Sequence, residues 1–125
     1  MSTVLIVEDN EKNMKLVRDV LQVKGYRVLE AVNAAAGLAL ARKERPDFIL
    51  MDIQLPDIDG ITALKMIRED KAIARTPVVA VSASVMPEEQ QKIVSSGFHA
   101  YVTKPINVKS FLETVEKFAG KPKDC

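Results

Sequence analysis

Cysteine, histidine and tryptophan are scarce in this sequence. The single cysteine is the last residue, Cys125, so no disulfide can form within the chain, and a lone histidine leaves no His and Cys set for a zinc site. No apolar run approaches the roughly 20 residues of a membrane-spanning helix. The N-terminus has neither the basic start nor the long apolar segment of a secretory signal. These absences predict a cytoplasmic protein with no membrane partner.

An excess of charge of either sign is also missing. The chain has 18 basic and 17 acidic residues, a net charge of +1 and no block of like charges. Nucleic-acid-binding surfaces are usually strongly basic, so we expect no nucleic-acid partner. At 125 residues and 47% apolar, with no repeat or linker, the chain has the composition of one globular domain. We predict a domain over residues 1–120, a short C-terminal tail over 121–125, and no output domain.

Short apolar runs alternate with amphipathic segments of helical length along the whole chain. The runs show little polar alternation, which is typical of strands buried on both faces of a parallel sheet. The predicted strands centre on residues 4–7, 28–29, 48–51, 78–81 and 100–102. The predicted helices lie within residues 10–25, 34–43, 60–69, 86–97 and 108–118. Five such pairs predict an α/β fold, a doubly wound (βα)5 domain with helices on both faces of a parallel sheet.

Polar residues follow four of the predicted strands directly. The apolar run Phe48–Met51 is followed by Asp52, which places a carboxylate at the carboxyl end of a predicted buried strand. Ligands of doubly wound sheets bind beyond the carboxyl ends of the strands, so the residues after each run should meet at one edge. These residues are Glu8 and Asp9, Asp52, Ser82 and Ala83, and Thr103, Lys104 and Pro105. We expect them to share one pocket.

The three acids of this set, Glu8, Asp9 and Asp52, predict a cation site. Two unit charges about 4 Å apart repel by roughly 4 kcal/mol near a protein surface, and a divalent ion removes that repulsion. Magnesium takes oxygen ligands and is often held by one or two carboxylates together with waters and phosphate oxygens. The cofactor that the sequence predicts is therefore Mg²⁺.

A phosphoryl group explains the rest of the set. A carboxylate can act as a nucleophile and carry phosphate as a mixed anhydride, and Asp52 is the central candidate. Lys104 supplies a point charge that neutralises the group, and Pro105 restricts the backbone that aims it. Ser82 can donate a hydrogen bond to a phosphoryl oxygen, while Ala83 leaves room for the group.

Four segments together resemble the receiver domain of bacterial two-component response regulators. They are Glu8-Asp9, "MDIQLPDIDG", "VVAVSA" and "TKP", in the family's order and spacing. The resemblance implies a flavodoxin-like sheet of strand order 2-1-3-4-5. It also implies a signalling switch, not an enzyme, that accepts phosphate on Asp52 from the phosphohistidine of a sensor histidine kinase or a histidine phosphotransfer protein. Segments such as "YVTKPINVKSFLETV" are most similar to stand-alone regulators of the DivK type.

The resemblance also assigns roles within the pocket. By the family pattern, Asp9 and Asp52 ligate the metal with the main-chain carbonyl of Gln54, and Glu8 acts through a metal-bound water. We also expect Gly60 to have a structural role at the site, and the resemblance implies a cis peptide between Lys104 and Pro105.

Ser82 and Tyr101 match the family's switch pair, although threonine is commoner than serine at residue 82. Serine keeps the hydroxyl but loses a methyl group, so its rotamer is less restricted. The family's usual surface for a downstream protein partner is the face of the fourth helix, fifth strand and fifth helix.

Plainer interpretations stay open for single residues. Asp52 alone could cap a turn, Asp9 could cap the first helix, and Asp57 and Asp59 are expected to shape the turn into Gly60. Two other function classes also remain. One is a haloacid-dehalogenase-like phosphatase, although the residues after the first strand match the motif of that family poorly. The other is a receiver that binds partners without phosphate.

Overall fold

The computed structural model describes residues 2–83 and 86–119, and the predicted tail at 121–125, with Cys125, lies outside the described residues. The predicted elements are confirmed. The strands are β1 (Thr3–Val7), β2 (Arg27–Ala31), β3 (Phe48–Asp52), β4 (Val78–Ser82) and β5 (Ala100–Thr103). The helices are α1 (Glu11–Val23), α2 (Ala34–Glu44), α3 (Gly60–Glu69), α4 (Pro87–Ser95) and α5 (Val108–Ala119). Within the described ranges, none of the helices is both long and apolar enough to span a bilayer.

The strands form one parallel sheet of order β2-β1-β3-β4-β5, which confirms the predicted order. The three central strands are buried along their whole length, whereas β2 at one edge is partly exposed. Val7 pairs with Met51, and Asp52 pairs with Val81, so β1, β3 and β4 end at nearly the same level. This register brings together the residues that follow these strands, at the edge of the sheet formed by the carboxyl ends of the strands, which we call its carboxyl edge.

Two apolar clusters lie on opposite faces of the sheet. Successive residues of β1 alternate between them, as the two-residue period of a strand requires. Leu5 packs in the cluster beneath α2, α3 and α4, which we call the α2–α4 half-core. Ile6 packs in the cluster beneath α1 and α5, which we call the α1/α5 half-core. Fully buried side chains such as Phe48 and Phe111 each stabilise the fold by about 1.5–3 kcal/mol through burial.

Side-chain caps define the starts of four helices among the described residues. Asn10, Asn33, Asp59 and Asn107 each accept a hydrogen bond from the backbone N–H three residues later, at the starts of α1, α2, α3 and α5. The cap of α1 is therefore Asn10 and not Asp9, which leaves Asp9 exposed at the edge of the sheet. Pro87 opens α4, where its missing N–H costs no helical hydrogen bond.

Candidate functional site

Three carboxylates converge at the carboxyl edge of the sheet. Asp52 is the last residue of β3 and only 3% exposed; Glu8 follows β1 and is 4% exposed. Asp9 is exposed beside them. One oxygen from each of the three side chains lies within 4.8 Å of the others. Strands β1 and β3 end at nearly the same level, which brings these oxygens together. The pocket is therefore a direct result of the strand register.

Lys104 provides the positive charge of the pocket. Its Nζ lies 2.7 Å from Asp52 Oδ2 and 3.3 Å from Glu8 Oε1, and 22% of the side chain is exposed. The backbone N–H of Lys104 donates to the Ser82 carbonyl at 2.9 Å, which ties the end of β5 to the end of β4. The peptide bond from Lys104 to Pro105 is cis, as the resemblance implied.

Backbone donors hold the second oxygen of each buried acid. The Gln54 N–H donates to Asp52 Oδ1 at 2.8 Å, and the Asn10 N–H donates to Glu8 Oε2 at 3.1 Å. A buried carboxylate is costly unless it is paired and hydrogen-bonded. Here each one has both a backbone donor and the Lys104 ammonium, so the two acids can lie close together under the surface.

The charge of the pocket remains unbalanced. Burial, a hydrogen bond with Asp52 and the Asp52 charge together raise the pKa of Glu8 from 4.5 to about 7, against the Asn10 N–H and the Lys104 charge. Burial lowers the pKa of Lys104, but the hydrogen bond and charge of Asp52, together with Glu8, outweigh it, so the net direction is upward. Near neutral pH Glu8 is therefore partly protonated, in the place where a cation would neutralise the acids.

The donor set fits Mg²⁺. Among the described residues, Glu8, Asp9 and Asp52 are the one group of three or more acidic, histidine or cysteine side chains that converges on a point. All of its donors are carboxylate oxygens, which suit a hard cation and not zinc. The exposed side of the pocket at Asp9 leaves access for water and for a phosphoryl group.

The remaining predicted residues lie on or directly after strands β3, β4 and β5. Gln54 is exposed and bonded through its N–H to Asp52. Ser82 is 5% exposed at the end of β4, and Ala83 after it is exposed. Tyr101 is half-buried against the α2–α4 half-core. The structure thus places Gln54, Ser82 and Ala83 at the carboxyl ends of β3 and β4, and Tyr101 within β5.

Gly60 lies directly behind the end of β3. A Cβ atom at this residue would stand 2.8 Å from the Asp52 carbonyl oxygen and 2.9 Å from the Ile53 Cα. The Gly60 N–H also donates to the Ile53 carbonyl at 2.8 Å. Helix α3 can therefore begin against the backbone of the candidate phosphoacceptor only because residue 60 has no side chain.

The two acids of the turn before Gly60 have different partners. Asp59 caps α3 through the Thr62 N–H at 2.8 Å, so it shapes the turn as expected. Asp57 instead reaches α2, where its two oxygens accept from the N–H groups of Ala34 and Ala35, each at 2.9 Å. The sequence interpretation missed this contact. The one available signal was that the first N–H groups of a helix need acceptors, and Asn33 supplies just one.

His99 lies at the opposite end of the sheet from the acids, as expected. Its Nδ1 accepts from the Val78 N–H at 3.3 Å and lies 3.4 Å from the Arg68 guanidinium. Its ring meets Phe118 edge-on, with the ring centroids 5.5 Å apart. These contacts give His99 a structural position, distant from the pocket.

The fold and the pocket together define a doubly wound α/β domain with a cluster of three acids and a lysine at the carboxyl edge of its sheet. A family model, the response regulator receiver domain, matches residues 4–116. The chain belongs to this family.

Curated relatives and solved structures agree with this membership. The polar-differentiation response regulator DivK of Brucella anthropi is 44% identical over 118 residues, which cover 94% of this chain and 96% of the relative. DivK of Brucella ovis is 42% identical over the same shares. The chemotaxis response regulator CheY4 of Vibrio cholerae has a TM-score of 0.88 at 30% identity and covers 94% of this chain and 98% of its own.

A further solved structure is relevant to the metal. The receiver domain of the sensor histidine kinase PA1611 from Pseudomonas aeruginosa PAO1 has a TM-score of 0.87 at 28% identity, with 96% of this chain and 98% of that chain covered. That receiver domain has a magnesium ion coordinated in its active site cleft.

Proposed function

We propose that this receiver domain is a phosphorylation switch that accepts a phosphoryl group on Asp52 from the phosphohistidine of a sensor histidine kinase or a histidine phosphotransfer protein. One observation supports this most directly. Asp52 is a buried carboxylate with an ammonium 2.7 Å away and two further acids beside it. This combination has the parts that phosphoryl transfer to a carboxylate requires.

Each residue of the pocket has a chemical role in this proposal. An oxygen of Asp52 bonds to phosphorus as the donor's phosphorus–nitrogen bond breaks, and Lys104 neutralises the charge of the arriving group. Asp9, Asp52 and the Gln54 main-chain carbonyl would hold Mg²⁺, with Glu8 acting through water. When bound, Mg²⁺ would supply charge neutralisation for the phosphoryl oxygens. The magnesium in the PA1611 receiver domain supports this assignment.

The proposed phosphorylation of Asp52 would act as a signal. The domain would promote both its own phosphorylation and its own dephosphorylation, the second slowly, without acting as a turnover enzyme. The phosphoryl transfer would take place in the cytoplasm. The domain itself is proposed to cover residues 1–120, close to the family match over 4–116. The retained Asp9, Asp52, Ser82 and Lys104 favour this reading over a partner-binding domain that has lost phosphorylation.

Signal transmission is proposed to run through Ser82 and Tyr101. A phosphoryl group on Asp52 adds negative charge and three acceptor oxygens, which would draw the Ser82 hydroxyl toward it. The half-buried Tyr101 on neighbouring β5 would then turn inward, changing the α4–β5–α5 face that contacts a downstream protein. In Ser82→Ala, phosphate uptake should persist while amide shifts over residues 100–103 respond weakly to beryllofluoride. A full response would contradict this route.

Labelling tests the phosphoacceptor directly. The protein is incubated with Mg²⁺ and either acetyl phosphate or a phosphorylated histidine donor, and the acid-stable, base-labile acyl phosphate is measured. Asp52→Asn should abolish labelling. Asp47→Asn is the matched control, because Asp47 lies just before the opposite end of β3 and bonds the Thr3 N–H. Undiminished labelling of Asp52→Asn, or loss of labelling in both variants, would contradict the assignment.

A further inference from the structure

Asp57 joins the candidate site to a helix that contributes no predicted site residue. It lies in the middle of the β3–α3 loop, residues 53–59, which follows the candidate phosphoacceptor. Its carboxylate accepts hydrogen bonds from the N–H groups of Ala34 and Ala35, which lie 23 and 22 residues earlier in the chain. These are the first two residues of α2. The contact therefore links two elements that the sheet topology does not connect directly.

The electrostatics of this contact are favourable. The first N–H groups of a helix have no partner within the helix and carry the positive end of its dipole. Asn33 satisfies the Ala36 N–H at 2.8 Å, and Asp57 satisfies the two before it. The bonds from Ala34 and Ala35 lower the pKa of Asp57, so the carboxylate stays ionised at neutral pH. Capping of α2 is thus divided between a local residue and a residue of the loop.

Contacts at the start, the middle and the end hold the β3–α3 loop. At its start, the Ile53 N–H donates to the Val81 carbonyl at 3.0 Å and the Gln54 N–H donates to Asp52 Oδ1. At its end, Asp59 caps α3. Between these points Leu55 and Ile58 pack partly against the α2–α4 half-core, and Asp57 provides the polar contact that sets where this middle section lies against α2. Without that contact, residues 55–58 would no longer be tied to the N-terminus of α2, and they directly follow Gln54, whose carbonyl is a proposed metal ligand.

We propose that Asp57 is a positioning residue, which fixes the β3–α3 loop on the N-terminus of α2 and thereby sets the affinity of the pocket for Mg²⁺. This inference rests on the proposed function, because it assumes that the acidic pocket binds Mg²⁺. Binding and loop position are then thermodynamically coupled, and the coupling is reciprocal. Mg²⁺ should therefore change the amide environment of Ala34 and Ala35, although neither residue is a ligand.

Equilibrium Mg²⁺ titration of the parent and three variants tests the proposal, with calorimetry and amide shifts as readouts. Asp57→Ala should raise the Mg²⁺ Kd roughly tenfold, the lower end of what loss of a residue that supports metal ligands costs. Asp57→Asn, which keeps one accepting oxygen, should lie between it and the parent. Asn33→Ala is the matched control, because it removes a cap of the same helix without touching the loop. Its Kd should stay within about twofold of the parent value.

The amide shifts separate positioning from stability. In the parent, Ala34 and Ala35 should shift on Mg²⁺ addition, and in Asp57→Ala these shifts should disappear while the Asp9 shift remains. A parent-like Kd in folded Asp57→Ala, or in Asp57→Asn if the alanine variant does not fold, would overturn the positioning role alone. An equal Kd change in Asn33→Ala would also overturn it, since helix stability would then be the cause. A parent that binds no Mg²⁺ would overturn this role and the metal site together.

Discussion

The raised pKa of Glu8 predicts an unusual pH dependence of stability in the absence of metal. A carboxyl group whose pKa rises from 4.5 to about 7 on folding binds a proton that the unfolded chain has already released. The stability that this proton contributes is complete below about pH 4.5 and is lost as the pH rises through about 7. Metal-free protein should therefore become less stable across this interval because of Glu8.

The size of the effect follows from the shift. Each pKa unit corresponds to 1.36 kcal/mol, so a rise from 4.5 to about 7 represents a loss of about 3 kcal/mol in the free energy of unfolding. Glu8→Gln keeps the shape of the side chain but has no proton to release. The difference in stability between Glu8→Gln and the parent should therefore grow as the pH rises, in favour of the variant.

Urea unfolding followed by far-UV circular dichroism, in EDTA, measures this difference from about pH 5 to about pH 8. His99 contributes a slope of opposite sign in part of this range, but it is present in both proteins and cancels in the difference. Glu11→Gln, at an exposed acid in the first turn of α1, is the control and should follow the parent. A stability difference between Glu8→Gln and the parent that stays constant with pH would refute the reasoning.

Three further perturbations have defined outcomes. Gly60→Ala should cost about 1–3 kcal/mol in urea unfolding, since its Cβ meets the backbone of Asp52 and Ile53 within 2.9 Å, and a cost under about 0.5 kcal/mol would mean that the strand end can shift. Burial and the Arg68 charge lower the pKa of His99 from 6.5, so the free energy of unfolding should fall as the pH drops below about 6.5. His99→Gln should make this fall smaller. An equal fall in the variant and the parent would contradict the prediction. Mg²⁺ at a hundredfold excess over its Kd should add about 2.7 kcal/mol to the free energy of unfolding, and Asp9→Ala should remove most of this gain; a melt insensitive to Mg²⁺ would argue against the metal site.

Features that depend on local pattern could be predicted from the sequence. Buried parallel strands must be apolar along their length, so the runs ending at Val7, Met51 and Val81 marked β1, β3 and β4. The polar residue after each run had to lie at the carboxyl edge, because all strands of a parallel sheet point the same way. The grouping of Glu8, Asp9 and Asp52 was predictable for this reason.

Features that depend on side-chain partners across the fold were not predictable. Aspartate can bond its own turn or a distant helix, and nothing within residues 53–59 distinguishes Asp57 from Asp59 in this respect. The choice of Asn10 over Asp9 as the cap of α1 depends on where β1 ends, which sequence patterns locate only to within a few residues. The upward pKa shift of Glu8 depends on burial and on the Asp52 contact, both of which require coordinates.

The alternation of β-strand residues between the two half-cores has a consequence for how a signal spreads. Tyr101 packs against the α2–α4 half-core, whereas the next residue, Val102, packs in the α1/α5 half-core. The sheet therefore acts as a partition. The proposed rearrangement around Tyr101 would then proceed on one side while Phe111 and Val115 keep their packing on the other. A domain divided in this way can remodel one surface and still present an unaltered α1 surface to whichever molecule approaches Asp9.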